Sequence, residues 1–193
     1  MSPSALPEGE PAPTDGALPA EALAGQERRR LSAYVHVPFC ATRCGYCDFN
    51  TYTAAELGAA PGASQRGYLD AVRAEIDLAA GVLGEPRPFS TVFFGGGTPT
   101  LLPATELAGL LTALKGRFGL APDAEVTTEA NPDSVTPAYL ERLVEAGFTR
   151  ISFGMQSAVP HVLATLERTH TPVAPWTPSR GLARPVSPRS AWT

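Results

Sequence analysis

The stretch AYVHVPFCATRCGYC, residues 33–47, changes character halfway along. Its first half alternates and is β-branched, with Val35 and Val37 on one side, so it reads as a strand that ends at Pro38. Its second half holds Cys40, Cys44 and Cys47, which are all three cysteines of the chain. A strand that runs directly into a three-thiol loop poses the question of the fold: which other strands end beside that loop?

Working outward, the apolar periodicity gives three more strands and four helices. A helix is expected from Gln65 to Leu83, with Leu69, Val72, Ile76, Ala79 and Leu83 in one stripe. STVFF at 90–94 reads as a short buried strand ending in Gly95, Gly96 and Gly97. A second helix starts near Pro103, carries Leu107, Leu110, Leu111 and Leu114, and stops at Gly119. AEVTTEA at 124–130 is the third strand. Thr136 caps a third helix, Pro137 opens it and Gly147 closes it. RISFGMQ at 150–156 is the fourth strand, followed by a helix through His161 to Glu167. Residues 54–64 read as a flexible connection. Regular β–α alternation with short connections means a parallel sheet with right-handed crossovers, either an open doubly wound sheet or part of a barrel. Both architectures place their sites at the carboxyl ends of the strands.

Those ends hold every unusual polar or glycine-rich feature of the chain. The cysteines follow the first strand, and Gly95, Gly96, Gly97, Thr98 and Pro99 follow the second. Glu129 ends the third, with Asn131 and Pro132 behind it, and Gln156 and Ser157 end the fourth. Three thiols spaced by four and three residues in a loop can converge on one centre. Structural zinc needs four ligands. His36 could supply the fourth, but it lies within the strand, two residues before Pro38. A redox pair of Cys44 and Cys47 would leave Cys40 idle. An iron–sulfur cube has four irons and normally four cysteines, so three leave one iron open to chelate a small molecule. The run GGGTPT lets a ligand lie against bare backbone.

The spacing C-x-x-x-C-x-x-C, standing here as Cys40, Cys44 and Cys47, resembles the signature of the radical S-adenosylmethionine (SAM) family. The resemblance implies a partial TIM-like barrel of parallel (β/α) units, about four of the family's six. It implies a [4Fe–4S] cluster on the three cysteines, whose open iron binds the amine and carboxylate of SAM. In that family an electron from the cluster cleaves the sulfonium and gives a 5′-deoxyadenosyl radical; the cofactor carries the chemistry and the protein orients it. YVHVPFCATRCGYCDFNTYT, FFGGGTPT, TTEANPDSV and RISFGMQSAVPHVLATLERTHTP together resemble the branch holding oxygen-independent coproporphyrinogen III oxidase and the haem chaperone, over about residues 33–172. Carried onto this sequence, the resemblance implies SAM contacts from Tyr34, Gly96, Gly97, Thr98, Glu129, Gln156 and Arg168, and Tyr46 packed by the cluster. The oxidase has a further cysteine two residues after the third, where this chain has Phe49. That departure points to the chaperone, which binds haem and passes it to haem-requiring proteins. The remaining readings are the oxidase, a non-catalytic zinc-binding module and an inactive fragment.

The flanks differ from this middle. Residues 1–32 are rich in Pro, Ala and acids and are expected to be a disordered tail. After Pro172 the segment VAPWTPSRGLARPVSPRSAWT contains both tryptophans, four prolines and no Asp or Glu. It reads as aberrant and frameshifted, a disordered tail over 173–193. With GC-rich codons and one G restored after the codon for Pro172, the same stretch can be read as an amphipathic helix, a glycine stop and a strand. The haem-binding region that the family keeps in its C-terminal part is therefore expected to be missing. The chain has 193 residues, a net charge of −4 and 44% hydrophobic residues, which suits one domain and argues against a general nucleic-acid binder. No stretch approaches the ~20 apolar residues of a membrane span, and no signal peptide is visible, so a cytoplasmic location is expected.

Overall fold

Backbone capping sets the helix limits. In the computed structural model, which describes residues 13–57, 64–85, 87–154, 157 and 159–165, the elements run α1 Ala20–Leu23, β1 Leu31–Val37, β2 Phe39–Cys40, β3 Tyr52–Thr53, α2 Ala54–Leu57, α3 Gln65–Leu83, β4 Phe89–Gly96, α4 Ala104–Phe118, β5 Leu120–Ala130, α5 Pro137–Ala146, β6 Arg150–Phe153 and α6 Pro160–Thr165. The Ser64 hydroxyl accepts from Gly67 N–H to start α3, and Thr136 accepts from Tyr139 N–H to start α5. Gly147 ends α5 in the left-handed region at φ 106°, which a side chain would resist.

Four strands form one parallel sheet in the order β1-β4-β5-β6. Each new strand is therefore added beside its predecessor. With right-handed crossovers, that order lays every connecting helix on the same face. The doubly wound alternative would need the strand order to reverse; this is a barrel-type arc. The helices are neighbours in turn, α3 beside α4 and α4 beside α5.

The face beneath the helices is the core. Val35, Val37, Val92, Phe94 and Val126 point into it and meet Leu69, Ile76, Leu107, Leu110, Leu111, Leu114 and Leu143. Burial of each such side chain contributes ~1.5–3 kcal/mol. The Phe94 ring lies 5.2 Å from that of Phe148, and Phe89 lies 4.7 Å from Phe118. The opposite face follows from strand alternation and register: Tyr34 pairs with Phe93, Phe93 with Thr127, His36 with Gly95, and Glu129 with Ser152. On this face Tyr34 is exposed, whereas Thr127 and Ser152 are buried.

Several boundaries differ from those the local pattern predicts. β1 begins at Leu31, inside the expected N-terminal tail, because Leu31 pairs with Phe89. Ahead of it Arg87 donates to the carbonyls of Gln26 and Arg29, tying this segment to the entry of β4. β4 continues through Gly95 and Gly96, since the neighbouring His36 and Val37 still pair with them. β5 begins at Leu120, opposite Phe89, and its register slips before Glu125 pairs with Thr91. Pro122 falls in that slip, where a residue without an N–H breaks no ladder bond. β6 stops at Phe153. Ala54–Leu57 of the expected flexible connection is a helical turn; residues 58–63 lie outside the described residues.

Candidate cofactor site

At the carboxyl ends of the four strands lies one cavity of ≈ 590 Å³. That size suits a small-molecule ligand. Its wall is drawn from each strand end. The end of β2 and the loop after it contribute Cys40, Cys44, Tyr46, Cys47 and Phe49. The end of β4 and the loop after it contribute Gly96, Gly97 and Thr98. β5 and its exit contribute Glu129, Ala130, Asn131, Asp133 and Ser134, and β6 contributes Ser152 and Gly154.

The cysteine and glycine loops are held together by the backbone. Gly97 N–H donates to Val37 C=O at 2.8 Å and Thr98 N–H to Phe39 C=O at 2.7 Å, extending the β1–β4 ladder past the strand ends. This junction explains the glycines. A Cβ on Gly97 would stand 2.4 Å from Phe39 O and 3.0 Å from Cys40 Sγ. Gly96 has φ 111°, and a Cβ there would meet the His36 ring at 2.7 Å. The two loops touch only because neither glycine carries a side chain.

Glu129 is half-buried and accepts from Gly96 N–H at 3.1 Å. Burial pushes its carboxyl above the usual carboxylate range, and the Gly96 bond opposes that shift. Cys40 is also half-buried. Burial pushes its thiol up, against a hydrogen bond from Thr51 that pulls it down. All three thiols are free and open to the same cavity. As they stand, no three His, Cys, Asp or Glu side chains among the described residues are gathered tightly enough to hold a metal ion.

Most of the residues singled out from the sequence come together here: Cys40, Cys44, Cys47, Tyr46, Gly96, Gly97, Thr98 and Glu129 all line the cavity. Tyr34 does not. It stands on the face opposite the helices, below the rim and 59% exposed, stacked on Phe93 with ring centroids 6.1 Å apart. Burial, then the charge of Glu129, raises its hydroxyl pKa. Gln156 and Arg168 lie outside the described residues. His36 is turned to other work than metal binding. Its Nε2 lies 2.8 Å from Asn50 O and its Nδ1 3.1 Å from the Tyr34 hydroxyl. A carbonyl can only accept, so neutral His36 carries its proton on Nε2 and accepts from Tyr34 on Nδ1.

Sequence reasoning missed Asp133, Ser134, Ser152 and Thr51. The first two follow Asn131 in a 3₁₀ turn, where Asn131 Oδ1 accepts from Asp133 N–H at 2.9 Å; the dipeptide Asn131-Pro132 was the available signal. Thr51 carried none, since only the folding of the loop buries it.

A parallel arc with a thiol loop and a glycine loop facing one cavity at its strand ends defines a cofactor-binding barrel protein. The model of the Radical SAM superfamily matches residues 34–174, and this chain belongs to that superfamily. Heme chaperone HemW of Mycobacterium tuberculosis is 54% identical over 150 residues, which is 78% of this chain and 37% of the relative. Oxygen-independent coproporphyrinogen III oxidase of Synechocystis is 35% identical over 146 residues, or 76% of this chain and 30% of the relative. In structure, coproporphyrinogen III oxidase from Escherichia coli, described as a radical SAM enzyme, superposes with a TM-score of 0.67 at 32% identity, over 78% of this chain and 33% of that one. The chain thus spans about a third of the length of these relatives, at 30%, 33% and 37%. No helix among the described residues is long and apolar enough to cross a membrane.

Proposed function

We propose that this chain carries the cofactor site of a haem-chaperone-type radical SAM protein. In this reading Cys40, Cys44 and Cys47 hold a [4Fe–4S] cluster and SAM occupies the rest of the cavity. The observation that carries it is the shared wall of three thiols, a side-chain-free glycine loop and a half-buried carboxylate. The residues fit the pair of groups. The cavity is larger than a lone ion needs, and Gly97 leaves the room beside Cys40 Sγ that a Cβ would fill. When bound, the cluster supplies one electron and an open iron.

The chain's own residues do the rest. Gly96, Gly97 and Thr98 present backbone to the ligand. Glu129 offers an acceptor held in place by Gly96 N–H, and Tyr46 packs by the cluster in this reading. Tyr34, Gln156 and Arg168 complete the SAM contacts in the same reading. Haem is the cargo, with haem-requiring proteins as acceptors in the cytoplasm. The 54% identity to a haem chaperone and Phe49, where the oxidase has a fourth cysteine, support this assignment. The 35% and 32% identities to coproporphyrinogen III oxidases support the oxidase as the second reading.

The test is anaerobic reconstitution with iron and sulfide, followed by reduction and low-temperature EPR with and without SAM. A cubane signal that changes on adding SAM is expected. No cluster, or a cluster blind to SAM, overturns the cofactor reading. Haem titration against porphyrinogen turnover then separates chaperone from oxidase.

A further inference from the structure

Thr51 is 1% exposed, yet it sits four residues past the last cysteine in a polar stretch, DFNTYT. A buried hydroxyl requires a partner. Its oxygen partner is poor, Phe49 C=O at 3.5 Å. Its other contact is sulfur: Oγ1 lies 3.9 Å from Cys47 Sγ. The buried hydroxyl therefore faces one of the three thiols.

Its position is held from both sides. Arg43, between the first two cysteines, donates to Thr51 C=O at 2.6 Å and pairs with Glu56 at 3.2 Å. Glu56 in turn accepts from Thr53 N–H at 2.8 Å and Thr53 Oγ1 at 2.9 Å. Tyr52 N–H donates to Pro38 C=O at 2.7 Å. The cysteine loop thus builds a clamp whose jaw carries the Thr51 hydroxyl against the sulfur of Cys47.

We infer that Thr51 is a positioning residue that donates its hydroxyl hydrogen to the cluster-bearing sulfur of Cys47, stabilising the reduced cluster and slowing its loss. The inference rests on the cluster reading above. A thiolate sulfur is acceptor only, so the hydroxyl must be the donor. Hydrogen bonds to the sulfurs are among the levers that set a cluster's potential.

The full chain and its T51V and T51S variants are reconstituted anaerobically. Cluster potential is followed by EPR-monitored titration, iron loss to a chelator is timed, and the apo-proteins are melted to confirm folding; T51A serves in place of T51V should the latter not fold. T51V is expected to move the midpoint to a more negative potential and to lose iron ~10-fold faster, while T51S stays near the wild type. A T51V cluster with wild-type potential and lifetime overturns the inference and leaves the cluster reading standing. T51S as impaired as T51V also overturns it, because the methyl and not the hydroxyl would then matter. A wild-type chain that forms no cluster removes both.

Discussion

The two faces of the sheet are built from neighbouring residues with opposite tasks. Phe94 points under the helices and is fully buried, whereas Phe93, one residue earlier, points the other way and stacks on the exposed Tyr34. The helix-side face is mostly Val, Phe and Leu, with Ile76 and Ala104 among them, and its contacts are apolar burial. The other face holds Tyr34, His36, Thr127, Glu129 and Ser152, each tied to a partner by register or hydrogen bond. Apolar burial is concentrated on the first face and the candidate ligand cavity lies at the rim of the second. Their difference means that most substitutions should damage one property and spare the other.

The sharpest break is the adjacent pair of phenylalanines. F94A removes a fully buried ring and is expected to cost ~3–5 kcal/mol in urea unfolding. F93A should cost under ~1 kcal/mol; equal losses would show that the second face is as tightly packed as the first. G97A forces a Cβ against Phe39 O and is expected to cost ~1–3 kcal/mol. It should also abolish iron–sulfur loading in the reconstitution assay, because both loops meet there. T136A removes the α5 cap and should cost ~1 kcal/mol with iron–sulfur loading unchanged, as a pure helix-side change.

The smallest effect concerns Glu129. Its folded pKa is raised above the ordinary 4.5, so the folded state holds its proton more tightly than the unfolded one. The stability this confers is present below about 4.5 and is lost as pH rises through the folded value. E129Q should erase that dependence, leaving an apo-protein slightly more stable than the wild type at neutral pH and no different in acid. Melting temperature against pH checks it. A wild type that instead gains stability over that interval would reverse the assigned cause.

Local pattern made much of this legible, and where it failed the missing information was tertiary. The stripe from Leu69 to Leu83 and the Thr136–Pro137 start carry their own signals, because capping and amphipathic burial act within a few residues. The start of β5 at Leu120 does not, since only its partner Phe89 makes a strand there, upstream of Pro122. In the candidate site, cysteines and glycines were visible by spacing. The resemblance places Tyr34 with them, yet its side chain stands outside the cavity wall: it shares the face of Glu129 but sits level with Phe93 and Thr127, two residues short of the rim. Thr51 was invisible for a different reason. A lone threonine acquires a role only when Arg43 and Pro38 close the loop over it.

Three successive carbonyls from the last residue of β1 onward are each claimed by a different donor: Val37 by Gly97, Pro38 by Tyr52 and Phe39 by Thr98. Carbonyls in an extended chain point alternately left and right, so the glycine loop takes the odd ones and the return arm of the cysteine loop takes the even one. The distance from Val37 to Cys40 is therefore a counted interval. Substitutions within it leave that count intact, although Val37 and Phe39 are core side chains whose loss costs burial, whereas adding or deleting one residue exchanges left for right and separates the two loops. In a gene, this short interval should accept apolar exchanges at Val37 and Phe39 and reject changes of length.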